Sequence, residues 1–254
     1  AIGTWETTLL ARNLDGNPST IEAWYDTTLD ITWLANANLA ASNSFGLSYS
    51  TDLGTYPGDS SGYHGFVNSD GTMNWPGAMF WLDAMNASNS GAGYLGYNDW
   101  RLPTMMDTGM SGCDNPNSNS GTDCGYNVQT TSGSPPYPAA TVYSEIASMY
   151  YDTLGNLAFA NPSFSNPGPF DNIQSVKDDY YWTGLEYAPN TDNAWLFTFN
   201  SGKQTYYNKN GDPYPIYAWA VHPGDIGTAV PLPAAVWLFG GGLLGLIGVG
   251  RRRH

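Results

Sequence analysis

The chain has 254 residues, enough for one large domain or two small ones, with a sizeable apolar fraction of 41% and only 12% charged residues. Its 22 acidic residues all precede the last two dozen positions, where only Arg12, Arg101, Lys177, Lys203 and Lys209 oppose them, so polyanions such as nucleic acid are repelled. Abundant Trp and Tyr argue against intrinsic disorder and for an extracellular, β-rich domain.

The opening AIGTWETTLL has no basic stretch and no apolar core segment, so Ala1 reads as the first residue after signal cleavage. Residues 3–34 mix β-formers with turns at Asp15-Gly16-Asn17-Pro18 and near Asp26-Thr27, predicting two or three short strands. Residues 36–71 are polar and rich in turn formers. The apolar spacing of MNWPGAMFWLDAM, with Pro76 suited to a first turn, predicts a helix over 76–88. Asn86-Ala87-Ser88 also fits an N-glycosylation sequon.

Residues 111–138 read as a long polar surface insertion. It holds both cysteines, Cys113 and Cys124, which read as a disulfide stapling the loop and agree with export; the absence of CxxC spacing argues against the alternatives, a metal pair or a redox site. Asp114, Asn115 and Asp123, with Asn117 and Asn119, are hard oxygen donors that calcium would take, although their spacing matches no EF-hand; a plain polar loop is the alternative. Beyond it, 141–151 is a short helix candidate and 159–169 a Pro/Asn loop. Strands are expected at 180–183 and 194–199, then a turn at Asn200-Ser201-Gly202-Lys203, a partner strand over 203–207, and a closing strand at 217–221.

Little in the chain suggests catalysis. His64 and His222 are isolated in sequence, and no G-x-S-x-G, phosphate loop or dinucleotide fingerprint occurs. Paired acids such as Asp178-Asp179 read as solvated surface, and a secreted hydrolase ranks last among the functions considered.

The end of the chain differs in character. After a linker and Pro motif over 225–233, residues 234–250 carry no charge, and Arg251, Arg252 and Arg253 follow. At ~1.5 Å per residue a helix here spans about 26 Å, near the ~30 Å of a bilayer core, with the arginines on the cytoplasmic side. This layout resembles the PEP-CTERM sorting signal, in its VPLPAA variant: Val230, Pro231, Leu232, Pro233, Ala234 and Ala235. The resemblance implies a Gram-negative exporter, an exosortase-type processing enzyme, contact with the inner membrane through the tail, and an exopolysaccharide-rich exterior. Gly241, Gly245 and Gly248 are spaced for close helix packing, so the tail is also expected to assemble the protein with itself, as a homopolymer.

A second resemblance lies within residues 1–224. Gly96-Tyr97-Asn98-Asp99-Trp100-Arg101-Leu102-Pro103-Thr104 is similar to the G-x-x-D-W-R-L-P-T signature of the DUF1566 family, and the aromatic blocks up to Tyr217-Ala218-Trp219-Ala220-Val221 follow its order. The sequence departs from it at Met105-Met106-Asp107 and at Ala218 and Ala220, where the closing strand usually carries Arg. The family implies an α+β, C-type-lectin-like fold of short antiparallel strands and one or two helices, found in bacterial surface proteins and glycan-binding adhesins. Within the signature Asp99, Trp100, Arg101, Leu102 and Pro103, Asp99 is expected to cap a turn, Trp100 to fill core, Pro103 to fix the next loop, and Arg101 to pair with Asp99, Asp83 or Glu186. The combined expectation is a non-catalytic, exported surface or matrix protein, either filament-forming through its tail or binding exopolysaccharide as an adhesin.

Overall fold

The computed structural model describes residues 3–109, 111, 123–126, 143–158, 164–212 and 214–229. Where two or three strands were expected near the N-terminus, three form: β1 (Leu9–Asn13), β2 (Ala23–Asp26) and β3 (Ile31–Leu34), preceded by a single helical turn, α1 (Trp5–Thr8). They make an antiparallel meander. Its edges are closed from the far end of the domain, by β8 (Val221–Pro223) against β3 and β9 (Thr228–Ala229) against β1. The second sheet has the order β6-β5-β4-β7, from β4 (Tyr180–Glu186), β5 (Asn193–Thr198), β6 (Lys203–Asn208) and β7 (Ile216–Tyr217). The expected hairpin is β5–β6, in register from Asn193↔Asn208 to Thr198↔Lys203. The expected closing strand is two strands, β7 and β8, in different sheets. The segment between them, Ala218-Trp219-Ala220, carries the chain from one sheet to the other through the core.

The predicted helix is α2 (Trp75–Ala87). It starts where the Asn74 side chain accepts the Gly77 N–H, with Pro just inside the first turn, and buries Ala78, Trp81, Leu82 and Met85 at helical spacing. It stops at Ser88, whose hydroxyl donates to the Met85 carbonyl. The candidate at 141–151 is one turn, α3 (Glu145–Ser148), running into a π-helical turn, Met149–Thr153.

The expectation of an α+β, C-type-lectin-like domain carrying a C-terminal apolar helix is corrected here. The described structure is mostly β-sheet, two sheets with few short helices, because Gly, Asn, Asp and Pro break the chain too often for helices to propagate. Among the described residues no helix is long and apolar enough to cross a membrane. The longest, α2, has 13 residues where a span needs about 20. Residues 234–254, where the apolar helix was expected, lie outside the described residues.

One aromatic core joins the two sheets and α2. Trp219 lies at its centre, 4.9 Å from Trp33 of the first sheet, 5.9 Å from Tyr181 of the second and 4.8 Å from Phe170. Four of the buried indoles donate to backbone carbonyls: Trp219 to Leu34, Trp182 to Met73, Trp75 to Thr183 and Trp81 to Asn43. The bonds to Met73 and Asn43 tie the irregular 36–74 segment to the second sheet and to α2, and each satisfies a donor whose burial unpaired would cost about 1–3 kcal/mol. A smaller core of Met105, Cys124, Tyr187 and Trp195 lies beyond β5.

Asp26, at the end of β2, is fully buried and accepts the Thr28 and Leu29 N–H groups. Burial pushes its carboxyl above the ordinary value, and these hydrogen bonds only partly counter that. A raised folded value means that Asp26 favours folding while protonated, below about pH 3.9, and that this contribution is lost as pH rises through the folded value. Chemical denaturation of the wild type and Asp26→Asn at pH 4 and pH 7 is expected to show the wild type losing stability relative to the variant at the higher pH. Parallel profiles would refute this.

Candidate functional site

A cleft of about 350 Å³ lies between two turns. One wall is the tight loop from Phe66 to Asn74. Asn68 N–H bonds the Thr72 carbonyl, Gly71 N–H bonds Asn68, and the Asp70 carboxylate accepts both the N–H and the hydroxyl of Thr72. Gly71 has φ +88°, and a Cβ there would strike the Asn38 side chain, so the loop tip requires glycine. Asn74 fixes the base of the wall: its Oδ1 accepts from Phe66 and Gly77, and its Nδ2 donates to the His64 carbonyl. The other wall follows β6. Lys209 C=O accepts the Trp75 N–H, Gly211 N–H bonds Asn208, and Tyr214 N–H bonds Gly211. Asn210, Asp212 and Tyr214 are exposed there, and the Tyr214 ring is propped edge-on by Tyr207 and Tyr180. Phe66 and Tyr214 present their rings at 37% and 38% exposure, beside the polar groups of Asn68, Asp70, Thr72 and Asp212.

The signature residues stand apart from this cleft and are structural. Trp100 is buried as expected, Leu102 is also buried, and Pro103 is buried with its carbonyl accepting the Gly184 N–H. Asp99 is exposed, and the turn is held instead by Asn86, which accepts the Trp100 N–H and donates to the Trp100 carbonyl. The sequon asparagine is thus an internal clamp.

Arg101 does not pair with Asp99, Asp83 or Glu186. It meets Glu145 of α3 through two parallel bonds of 2.7 and 2.8 Å. Glu145 is almost wholly buried and also accepts from Thr104 N–H and Tyr143 OH. Burial works against the Arg101 charge, but Glu145 outweighs it, so the guanidinium is held charged more firmly than usual. Sequence reasoning missed Glu145 because it lies 44 residues away, beyond the polar stretch.

Part of that stretch is not surface. Asp123, Cys124, Gly125 and Tyr126 are buried, and Gly125 exchanges two backbone bonds with Gln204 at the edge of β6. Cys124 is disulfide-bonded; Cys113 lies outside the described residues. Of the calcium candidates, Asp123 points inward and accepts the N–H and hydroxyl of Thr108, while Asp114 and Asn115 lie outside the described residues. Among the described residues no group of three or more His, Cys, Asp or Glu could hold a metal ion. Val230 to Ala235, Gly241, Gly245, Gly248 and Arg251 to Arg253 also lie outside them. His64, isolated in sequence, binds the exposed Asp52 carboxylate at 2.8 Å, and His222 packs edge-on against Trp100 and Tyr97. The Asp107 carboxylate, where the sequence departs from the signature pattern, receives the Trp195 indole N–H and the Ala188 N–H.

With this geometry in view, the chain belongs to the Lcl C-terminal domain family, whose model matches residues 22–222. This is a DUF1566-like family, as the signature implied, and it points to an extracellular or surface protein. No curated protein and no solved structure matches the chain.

Arg101→Met would leave the Glu145 carboxylate buried without its cation. The expected loss is about 3 kcal/mol in chemical denaturation. A loss below ~1 kcal/mol would mean that the pair is a surface contact with little effect.

Proposed function

We propose that this is a non-catalytic, exported surface protein that binds an uncharged glycan in the cleft between Phe66–Asn74 and Asn210–Pro215. The observation that carries this is the lining: amide, carboxylate and hydroxyl groups set beside two exposed aromatic rings. Sugars offer paired hydroxyls to Asn and Asp side chains, and their C–H faces pack on aromatic rings. The cleft's size falls at the small end of the ~300–1,000 Å³ common for ligand sites, which suits one or two sugar units at a time. The acidic charge favours a neutral polysaccharide over a sulfated or uronic one.

Isothermal titration with neutral exopolysaccharide fragments is expected to give saturable binding that Tyr214→Ala weakens about tenfold, or ~1.4 kcal/mol. Sulfated glycans should not bind. Absence of binding to every neutral glycan tried would defeat the reading.

The tail supports a matching route to the surface. Val230-Pro231-Leu232-Pro233-Ala234-Ala235 followed by Arg251-Arg252-Arg253 suits an exosortase-type enzyme of a Gram-negative bacterium, which would deliver the domain into an exopolysaccharide matrix. Changing Pro231 and Pro233 to Ala is expected to abolish processing, read as a full-length chain retained by the cells. Unchanged release would argue against such processing.

A further inference from the structure

Lys209, directly after β6, has a side chain with no exposure to solvent. Lysine is almost never fully buried unless paired. Its Nζ lies 2.7 Å from Oδ1 of Asp59, whose side chain is 1% exposed, and 2.5 Å from Oε1 of Glu186, whose side chain is 35% exposed. The Trp75 ring covers the amine, with its centroid 4.6 Å away. The Ser61 hydroxyl and N–H hold the two Asp59 oxygens at 2.8 and 3.0 Å. Burial pushes the Asp59 carboxyl up, but the bonds from Lys209 and Ser61 bring it below its ordinary value, so the resting state is an ion pair.

An ion pair needs only one carboxylate. Here a single amine is held between two that differ in kind: one enclosed and fixed by Ser61, the other open to solvent on one side. That is the arrangement for condensing an amine with a carboxylic acid, with an acceptor carbon, a proton carrier and a path for water to leave.

We infer that Lys209 and Asp59 form an intramolecular isopeptide bond, with Glu186 as the proton relay. Glu186 takes a proton from the Lys209 ammonium, and the freed amine attacks Cγ of Asp59. The N–C bond forms and one C–O bond breaks. The departing oxygen leaves as water with two protons from the ammonium, one of them passed through Glu186, so no oxidant, reductant or activated co-reactant is needed. The oxygen held by the Ser61 hydroxyl remains as the amide carbonyl. Water leaves past the half-exposed Glu186. Condensation is unfavourable between free groups in water, but fixed partners reach effective concentrations of ~10⁵ M or more, and the Trp75 wall limits the return of water. The bond would join residues 150 positions apart and lock the loop around Asp59 to β6, immediately beside the Asn210 wall of the cleft.

Intact mass spectrometry of the full chain after disulfide reduction decides the question. The expected mass is below the sequence mass by one water, and a tryptic digest should contain a branched peptide joining Lys209 to Asp59. Asp59→Asn should form the same bond with loss of ammonia in place of water, and Glu186→Gln should keep its full sequence mass. An intact wild-type mass equal to the sequence mass, or a water loss mapping to other residues, overturns the bond. A fully linked Glu186→Gln protein overturns the relay. The wild-type mass alone settles the bond whether or not a variant folds.

Discussion

The scarcity of positive charge is the constraint on which the rest of this structure depends. The domain has five basic side chains against 22 acidic ones, and three of the five are placed where they tie distant segments together. Arg12 on β1 binds Asp225, just before β9, so the first sheet is closed by an ion pair as well as by strand pairing. Arg101 exchanges both backbone bonds with Val221 of β8 and binds Glu145 through its side chain, so one residue joins the first sheet to α3. Lys209 gathers Asp59 and Glu186 at the end of the second sheet. Arg12 and Lys209 are thereby withdrawn from the surface and Arg101 is partly covered, which leaves an exterior dominated by carboxylates.

Between these ties the aromatic residues do the filling. Trp219 touches residues of both sheets and donates its indole N–H to Leu34 of β3, while the Trp182 indole binds the Met73 carbonyl outside the strands. With short strands and one helix of more than five residues among the described residues, this packing positions the loops. The cleft follows from this: its walls are loops, but one is anchored by Asn74 at the start of α2 and the other by Lys209 at the end of β6. Binding groups carried on loops and fixed by such anchors require little ordering on binding.

Local patterns in the sequence were good guides to local structure. The apolar spacing after Pro76 identifies α2 to within a residue at each end, and Asn200-Ser201-Gly202 marks the β5–β6 turn. The D-W-R-L-P run correctly indicates a structural node and the family. What local pattern cannot reveal is partnership across the chain. Arg101 finds Glu145 rather than Asp99, Asp83 or Glu186, a partnership between residues 44 positions apart that no local pattern encodes. The cleft was invisible for the same reason, since residues 66–74 and 210–215 each read as an ordinary polar turn. The family resemblance implies more helix than the chain supports. The Gly- and Asn-rich connections leave room for one sizeable helix among the described residues, and the remainder is sheet and turn.

The central claim is that the cleft between the two anchored turns is a glycan site. Its most direct test is a heteronuclear NMR titration of the domain with a neutral exopolysaccharide fragment. The account predicts shift changes concentrated on Phe66, Asn68, Thr72, Asn210 and Tyr214, with the Arg101–Glu145 node unmoved. Changes centred on another face, or none at saturating glycan, would contradict it.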